Sequence, residues 1–260
     1  MIQRRAGKPT ITLTHSNISI ILYSHNNHGI QMPLDLSQHY ILITGATGGV
    51  GQELARQLAS TGATLILHGR NTEALEKLDD AIHKETPEAQ TIIWPLDFLK
   101  ANEQSVRPTL EELNQHIPYL SLIFNCATHV GQQSPLLQEP NDTWMKAIQV
   151  NVETPRLIMK EALPLLQAAP LAQIFFFMDE KRDVLYEGAF SMTKDMLLHI
   201  SRQLNLEFEK INNIQTEVLT LPPLYSALRA KRFPGEEPDA NIMPSVAVKS
   251  LIERLFNKPV

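Results

Sequence analysis

The chain has 260 residues, of which 43% are hydrophobic and 20% are charged, a composition typical of globular domains. Its length allows one large domain or two small ones. The net charge of −5 at pH 7 argues against nucleic acid as the main partner, because phosphate binding needs concentrated positive charge. The single cysteine, Cys126, excludes an internal disulfide and favours a reducing, cytoplasmic location.

The first 37 residues differ from the rest and are interpreted as an N-terminal extension. Their apolar stretch, Ile18–Tyr23, is too short to form the core of a signal peptide, which takes ~7–15 residues. Ile11–Thr14 has the β-branched content of a short strand, and the alternatives are a disordered segment or a natural start at Met32. His25 and His28 have a metal-like spacing without a third ligand nearby, so no metal site is expected. No apolar run approaches the ~20 residues that span a bilayer, so no membrane partner is expected.

From Tyr40 onward, short apolar runs alternate with longer segments of helical period. The predicted strands are 40–43, 64–67, 91–94, 120–124, 172–178 and 215–219. The predicted helices are 52–60, 72–84, 104–116, 142–166, 189–210 and 246–256. The strands are mostly continuous in apolar character rather than alternating, which is typical of a parallel sheet covered on both faces. Residues 38–260 are therefore expected to form a single α/β domain, a Rossmann-type doubly wound parallel sheet with six core strands.

Helix caps and the sheet edge can also be predicted. Asn71 is a good N-cap for the second helix, and Asn141 or Asp142 can cap the fourth. The chain stops soon after Phe256, so the last strand is expected to leave an open edge. A partner subunit or a strand from the N-terminal extension could cover that edge.

The strongest motif is the glycine-rich segment Thr44–Gly51, with the sequence TGATGGVG. It follows the first predicted strand and leads into the first helix, the context in which such a segment binds a dinucleotide. Glycines allow a tight turn and a close approach of a diphosphate, and the helix N-terminus supplies free N–H groups and partial positive charge. The alternative is a glycine-rich turn without a ligand.

The second strand ends in His68-Gly69-Arg70, without the acidic residue that binds the ribose hydroxyls of NAD. A guanidinium at this position can pair with a 2′-phosphate in a bidentate manner. This favours NADP(H) over NAD(H), and the alternative is that Arg70 is only a solvated surface charge.

Together these residues resemble the short-chain dehydrogenase/reductase family. The spacing of Thr44, Gly45, Gly49 and Gly51 is that family's form of the glycine motif. Within the family, 144–151 and 233–238 are similar to bacterial YciK-like members. Arg70 is a candidate cofactor-binding residue from its place after the second strand. The resemblance adds Thr44, Gly45, Thr47, Gly49, Val50, Gly51, Asp97, Asn125 and Lys194.

The resemblance also implies the catalytic positions. Lys194 matches the family lysine, and Asn151 matches the asparagine that orders a water and that lysine. Phe190 stands where the family has its proton-transferring tyrosine, and Asp179 stands where it has a serine. Tyr186, four residues before Phe190, is the candidate for a replacement acid.

Three further residues depart from the family pattern near the nicotinamide. Thr128 replaces a glycine, and Pro222-Pro223 replaces a Pro-Gly turn and removes a backbone donor.

Two functions follow as alternatives. One is an NADP(H)-dependent oxidoreductase, slow or with a displaced acid, that moves a hydride between nicotinamide and an apolar carbonyl or alcohol. The other is a non-catalytic nucleotide sensor or complex subunit. The resemblance also implies a homodimer or larger homo-oligomer through the long fourth and fifth helices.

Overall fold

The computed structural model describes residues 21–23, 36–180, 184–209, 213–237 and 241–256. The predictions on Ile11–Thr14, on His25 and His28 and on a start at Met32 fall outside the described residues. The strands are β1 (Ile21–Tyr23), β2 (Tyr40–Thr44), β3 (Thr64–Gly69), β4 (Gln90–Pro95), β5 (Leu122–Asn125), β6 (Ala172–Asp179) and β7 (Ile214–Leu221). The helices are α1 (Gly49–Ala59), α2 (Thr72–Glu85), α3 (Glu103–His116), α4 (Asn141–Ile148), α5 (Thr154–Glu161), α6 (Leu163–Ala168), α7 (Gly188–Phe208), α8 (Ala227–Arg232) and α9 (Pro244–Phe256).

The strands form one sheet in the order β1-β7-β6-β5-β2-β3-β4. The six strands from β2 to β7 are parallel, which confirms the predicted Rossmann-type doubly wound α/β sheet. The strand order reverses between β2 and β5, where Thr44 pairs with Asn125. In such sheets a crevice opens at this point, beyond the carboxyl ends of the strands. The fold therefore places the glycine-rich segment at the crevice.

The edge beyond β7 is covered by β1, which pairs with it antiparallel. The register places Ile21 opposite Thr220 and Tyr23 opposite Val218. This agrees with the alternative in which a strand from the N-terminal extension covers the edge. The backbone groups of β7 that face outward along these residues are thereby paired, as edge strands require.

Alternate residues along each central strand pack against helices on opposite faces of the sheet. Leu42, Ile66 and Ile123 join one core with residues of α3, α5, α6 and α7. Their neighbours Ile43 and Leu65 join the second core with residues of α1, α2 and α9. Both faces are thus buried, which explains why the strands are apolar without alternation. Among the described helices, none is long and apolar enough to cross a membrane.

The predicted fourth helix, 142–166, is interrupted. It consists of α4, a π-helical segment at Gln149–Glu153, α5, and α6 after a break at Ala162. The predicted cap at Asn141 or Asp142 is also wrong, because Pro140 occupies the N-cap without a side-chain bond.

Two side-chain caps fix the starts of other helices. The Asn71 side chain accepts a hydrogen bond from the backbone nitrogen of Ala74, which confirms its predicted role. Asn102 and Ser105 form a reciprocal capping box at the start of α3. Both caps stabilise helices that flank the sheet.

Candidate active site

The glycine-rich turn between β2 and α1 is packed too closely for side chains at two positions. Gly45 has φ +63°, and a Cβ there would lie 2.8 Å from the backbone nitrogen of Ala127. A Cβ on Gly51 would collide with the carbonyl oxygen of Gly45. The protein's own backbone therefore requires glycine at both positions.

Gly49 differs, because the protein leaves space beside it. A Cβ on Gly49 would meet only the ring of Pro244, at 3.6 Å, an ordinary contact distance. The N-cap residue of α1, Gly48, has no side-chain cap, and the first turn of the helix has no acidic residue. Thr47 is exposed and Val50 is half-buried. The N–H groups at the start of α1 have no side-chain cap, and an open helix N-terminus of this kind can bind a phosphate.

His68, at the end of β3, lies beneath the turn and has no role in the sequence analysis. It is almost completely buried, and its Nδ1 accepts a hydrogen bond from the backbone nitrogen of Gly45 at 3.3 Å. Its Nε2 donates to the carbonyl of Leu96 at 3.0 Å, and its ring stacks on Phe98. Burial lowers the pKa of His68 to about 4. A neutral ring, one nitrogen donating and one accepting, therefore fixes the turn. A polar residue within an apolar strand was the only signal in the sequence.

Arg70 and Asp97 lie at the ends of neighbouring strands. Arg70 is exposed directly after β3, and its charge reaches His129, beyond β5. Burial first, and then the charges of Lys146 and Arg70, lower the pKa of His129. Asp97 follows β4, and its carboxylate accepts from the backbone nitrogen of Leu99 at 3.1 Å. The predicted cofactor residues Arg70 and Asp97 thus both lie at the carboxyl edge of the sheet, after the neighbouring strands β3 and β4.

Asn125 ends β5 beside the turn. Its side-chain nitrogen donates to the carbonyl of Phe175 at 3.3 Å, whereas its buried oxygen has no partner among the described residues. A buried acceptor without a donor is costly unless a ligand or water supplies one. Next to it lies Cys126, which is half-buried, and desolvation raises the pKa of its thiol, which argues against a nucleophile.

Asn151 lies in the π-helical segment and is fully buried. Its side-chain oxygen accepts from the backbone nitrogen of His129 at 2.7 Å and from the Thr128 hydroxyl at 3.3 Å. Its nitrogen donates to the His129 carbonyl and to Thr193, each at 2.9 Å. The amide therefore ties the loop after β5 to α7. The Thr128 side chain is directed to this amide.

Lys194 lies on α7, and its Nζ donates to the carbonyl of Phe177 at 3.1 Å. Burial lowers the pKa of Lys194, while the negative charge of Asp179 acts in the opposite direction. The ammonium lies 5.3 Å from the ring centroid of Phe190, which is buried. Asp179 is exposed at the end of β6, without the apolar enclosure that a proton-donating role would need there.

An ion pair that the sequence analysis missed lies beside Phe190. Arg232, the last residue of α8, pairs with Glu187 at the start of α7, and both side chains are largely buried. The Arg232 guanidinium carbon lies 5.1 Å from the ring centroid of Phe190. Desolvation raises the pKa of Glu187 against the charge of Arg232, and the charge of Asp179 raises it further. The partners are 45 residues apart, so no local pattern could reveal the pair.

Tyr186, the candidate replacement acid, precedes α7 in a left-handed conformation with φ 68°. Its side chain is 55% exposed, and its carbonyl accepts from the backbone nitrogen of Ser134 at 3.2 Å. No described contact joins its hydroxyl to Lys194.

The carbonyl of Pro223 accepts a hydrogen bond from the backbone nitrogen of Ile242, which fixes the loop after β7. Among the described residues, no group of acidic, histidine or cysteine side chains could hold a metal ion.

Comparison with known proteins gives matches over most of the chain. The family model described as short chain dehydrogenase matches residues 39–237. The uncharacterized oxidoreductase YciK of Escherichia coli K12 is 27% identical over 216 residues, 80% of this chain and 84% of that protein. YvaG of Bacillus subtilis, also an uncharacterized oxidoreductase, is 26% identical over 86% of each chain.

Solved structures show the same architecture. A short chain dehydrogenase from Pseudomonas syringae superposes with a TM-score of 0.79 at 25% identity, covering 88% of this chain and 94% of the other. Another, from E. coli CFT073 and complexed with NADPH, superposes with a TM-score of 0.78 at 24% identity over 86% and 93% of the two chains.

Proposed function

Because the chain belongs to the short-chain dehydrogenase family of oxidoreductases, we propose that it is an NADP(H)-dependent oxidoreductase acting on small apolar carbonyl compounds or alcohols. The open N-terminus of α1 beside Gly49 is the observation that carries this proposal. The fold supplies a space for a diphosphate that the protein does not fill with its own side chains.

The residues that would hold the cofactor lie along the carboxyl ends of the strands. The diphosphate would contact the turn from Thr44 to Gly51, with Thr47 and Val50 beside it. Asp97 would face the adenine, and the side-chain oxygen of Asn125, which has no partner in the described part of the chain, offers an acceptor next to the adenosine. These positions follow the order that a dinucleotide takes across such a sheet.

Arg70 supports NADP(H) over NAD(H). It is exposed at the end of β3, and the two residues directly after that strand, Arg70 and Asn71, are not acidic. A guanidinium there can hold the 2′-phosphate through paired hydrogen bonds. The structure of the E. coli CFT073 neighbour contains NADPH, which supports the same choice.

The other end of the crevice carries Lys194, Phe190 and Asn151. When bound, the nicotinamide ring would supply or accept the hydride. Lys194, held by the carbonyl of Phe177, would bind the nicotinamide ribose, and Asn151 would keep α7 aligned with the loop after β5. Phe177, Phe190 and Leu224 would give the pocket its apolar lining.

A non-catalytic nucleotide sensor or complex subunit is the second candidate, and one observation favours it. The ring of Phe190 lies near the two cations of Lys194 and Arg232 but has no proton to exchange. Loss of a positioned proton donor costs roughly 10²–10⁴ in rate, which leaves a slow enzyme rather than none. We therefore keep the oxidoreductase as the first candidate.

We also propose that the protein forms a homodimer. The exposed face of α7 carries Met192 and Met196, which are 46% and 42% exposed. They line a shallow groove with Asp195, His199 and Ile200. Exposed apolar side chains of this kind are typical of faces that pair with another chain.

Thermal unfolding with NADPH and NADH tests the cofactor. A nucleotide at 100 times its Kd should stabilise the protein by about 2.7 kcal/mol. We expect a larger shift with NADPH than with NADH, and Arg70→Ala should remove the difference. Arg202→Ala, an exposed arginine on α7, is the control. Equal shifts in the wild type would contradict the choice of NADP(H), and no shift with either would contradict nucleotide binding.

A further inference from the structure

Arg232 is held in a defined position beside the pocket. Its guanidinium lies 5.1 Å from the ring centroid of Phe190 and 5.2 Å from that of Phe233. One terminal nitrogen donates to the carboxylate of Glu187. Two aromatic rings and one ion pair therefore fix the guanidinium before any ligand arrives.

Arg232 donates fewer hydrogen bonds to a carboxylate than Arg229, which lies on the same helix. Arg229 donates from Nε and from a terminal nitrogen to the two carboxylate oxygens of Glu236, each at 2.6 Å. Arg232 makes only the terminal bond to Glu187, and its Nε is buried without a partner among the described residues. An oxygen acceptor is missing at that nitrogen.

The charges around Arg232 are balanced, with the cations Arg232 and Lys194 opposed by the carboxylates of Glu187 and Asp179. Glu187 is matched by Arg232, and the charge of Asp179 acts on the ammonium of Lys194. Asp179 is exposed, so solvent screens its effect on a ligand more strongly than the buried guanidinium is screened. A ligand oxygen at Nε would give Arg232 the same two hydrogen bonds, from Nε and from a terminal nitrogen, that Arg229 makes with Glu236.

We propose that Arg232 binds the carboxylate of the substrate, so that the substrates are small apolar oxo acids or the matching hydroxy acids. This proposal rests on the proposed function, because it specifies the substrate of the same pocket. A carboxylate oxygen carries negative charge and accepts a stronger, charge-assisted hydrogen bond from Nε than a neutral hydroxyl or ester oxygen does. Glu187 is the positioning residue that orients the guanidinium.

The distance between the two cations sets an upper limit on the spacing of the two substrate groups that they would bind. Lys194 Nζ and the guanidinium carbon of Arg232 lie 5.3 and 5.1 Å from the same ring centroid of Phe190. They are therefore no further apart than the sum of these two distances. A carboxylate at Arg232 and a carbonyl near Lys194 can then belong to one molecule, with its apolar part against Phe190.

Benzoylformate and its methyl ester test this directly, because they differ in the charge of one group. Calorimetric titration is performed with NADP⁺, which cannot reduce an oxo acid, and again without nucleotide. We expect the wild type to bind the acid about tenfold or more tightly than the ester, the factor typical of a charge-assisted hydrogen bond. Arg232→Gln should bind both equally, whereas Arg229→Gln should keep the preference.

Equal affinities in the wild type, no binding of either compound, or a preference retained in Arg232→Gln would overturn the proposal. Arg232→Gln leaves the carboxylate of Glu187 buried, so the double variant Arg232→Gln/Glu187→Gln is measured beside it, with circular dichroism as the check on folding. If the acid is preferred but NADP⁺ does not stabilise the protein, the carboxylate site stands and the proposed function fails.

Discussion

The backbone nitrogen of Gly45 lies 3.3 Å from Nδ1 of His68, so a histidine at the end of β3 supports the turn that follows β2. The same ring reaches the carbonyl of Leu96 at 3.0 Å, beyond β4. One buried side chain thus joins three neighbouring strand ends. Only the neutral ring can accept from Gly45 and donate to Leu96 together.

Acidification should destabilise the protein through His68. Its pKa is about 4 in the folded protein and 6.5 as the unperturbed value, so the unfolded chain binds the proton first and stability falls as the pH drops below 6.5. Between pH 7 and pH 5 this residue should lower the free energy of unfolding by about 2 kcal/mol. Urea unfolding of the wild type and His68→Gln at both pH values measures the difference. An equal loss in both proteins would contradict the prediction.

Glu217 should give stability the opposite pH dependence, with a loss as the pH rises. Burial raises its pKa from 4.5 to about 7 against the charge of Arg254, and its Oε1 has no partner among the described residues. The folded state therefore holds the proton more strongly, and stability is lost as the pH rises from 4.5 through 7. Between pH 5 and pH 8 the loss should be about 2–3 kcal/mol. Glu217→Gln should flatten this dependence in urea unfolding, and an unchanged slope would refute the assignment.

The two kinds of glycine in the turn should respond differently to alanine. Gly51→Ala forces a methyl group into the carbonyl of Gly45, and overpacking of this kind costs about 1–3 kcal/mol. Gly49→Ala meets only Pro244 at 3.6 Å, so stability should be unchanged or slightly higher. We nevertheless expect Gly49→Ala to weaken NADPH binding, measured by the thermal shift. Undiminished binding in a stable Gly49→Ala protein would show that no phosphate approaches there.

Phe190→Tyr should raise the rate of NADPH oxidation. The new phenol would lie near Lys194 and Arg232, whose positive charges favour its ionised form. A positioned proton donor is worth roughly 10²–10⁴ in rate. The rate is followed with a panel of ketones, aldehydes and oxo acids, and Phe190→Leu is the control for packing. If Phe190→Tyr binds NADPH normally without a gain in rate, the non-catalytic function is favoured.

The sheet could be predicted from the sequence because its signal is local. Each buried strand, such as 64–67 or 172–178, is a continuous apolar run between helical segments, and the helix cap at Asn71 depends on neighbouring residues only. The glycine turn was equally recognisable, since its spacing reflects one tight loop. The alternation of strands and helices then indicates the fold class, a parallel sheet with helices on both faces.

Features that depend on distant residues were missed. The segment 142–166 has a continuous helical pattern, but its π-helical turn places Asn151 against His129 and Thr193 from other elements. Likewise, the pairing of Glu187 with Arg232 depends on how α8 packs on α7. Helical period carries no information on such long-range contacts.

The pairing of Ile21–Tyr23 with β7 has a practical consequence for truncation. A polypeptide beginning at Met32 would lack these residues. The segment Val218–Thr220 would then have unpaired backbone N–H and C=O groups at the edge of the sheet. Such an edge is a template for another copy of the same strand, so the shortened protein should be prone to self-association through β-strand addition.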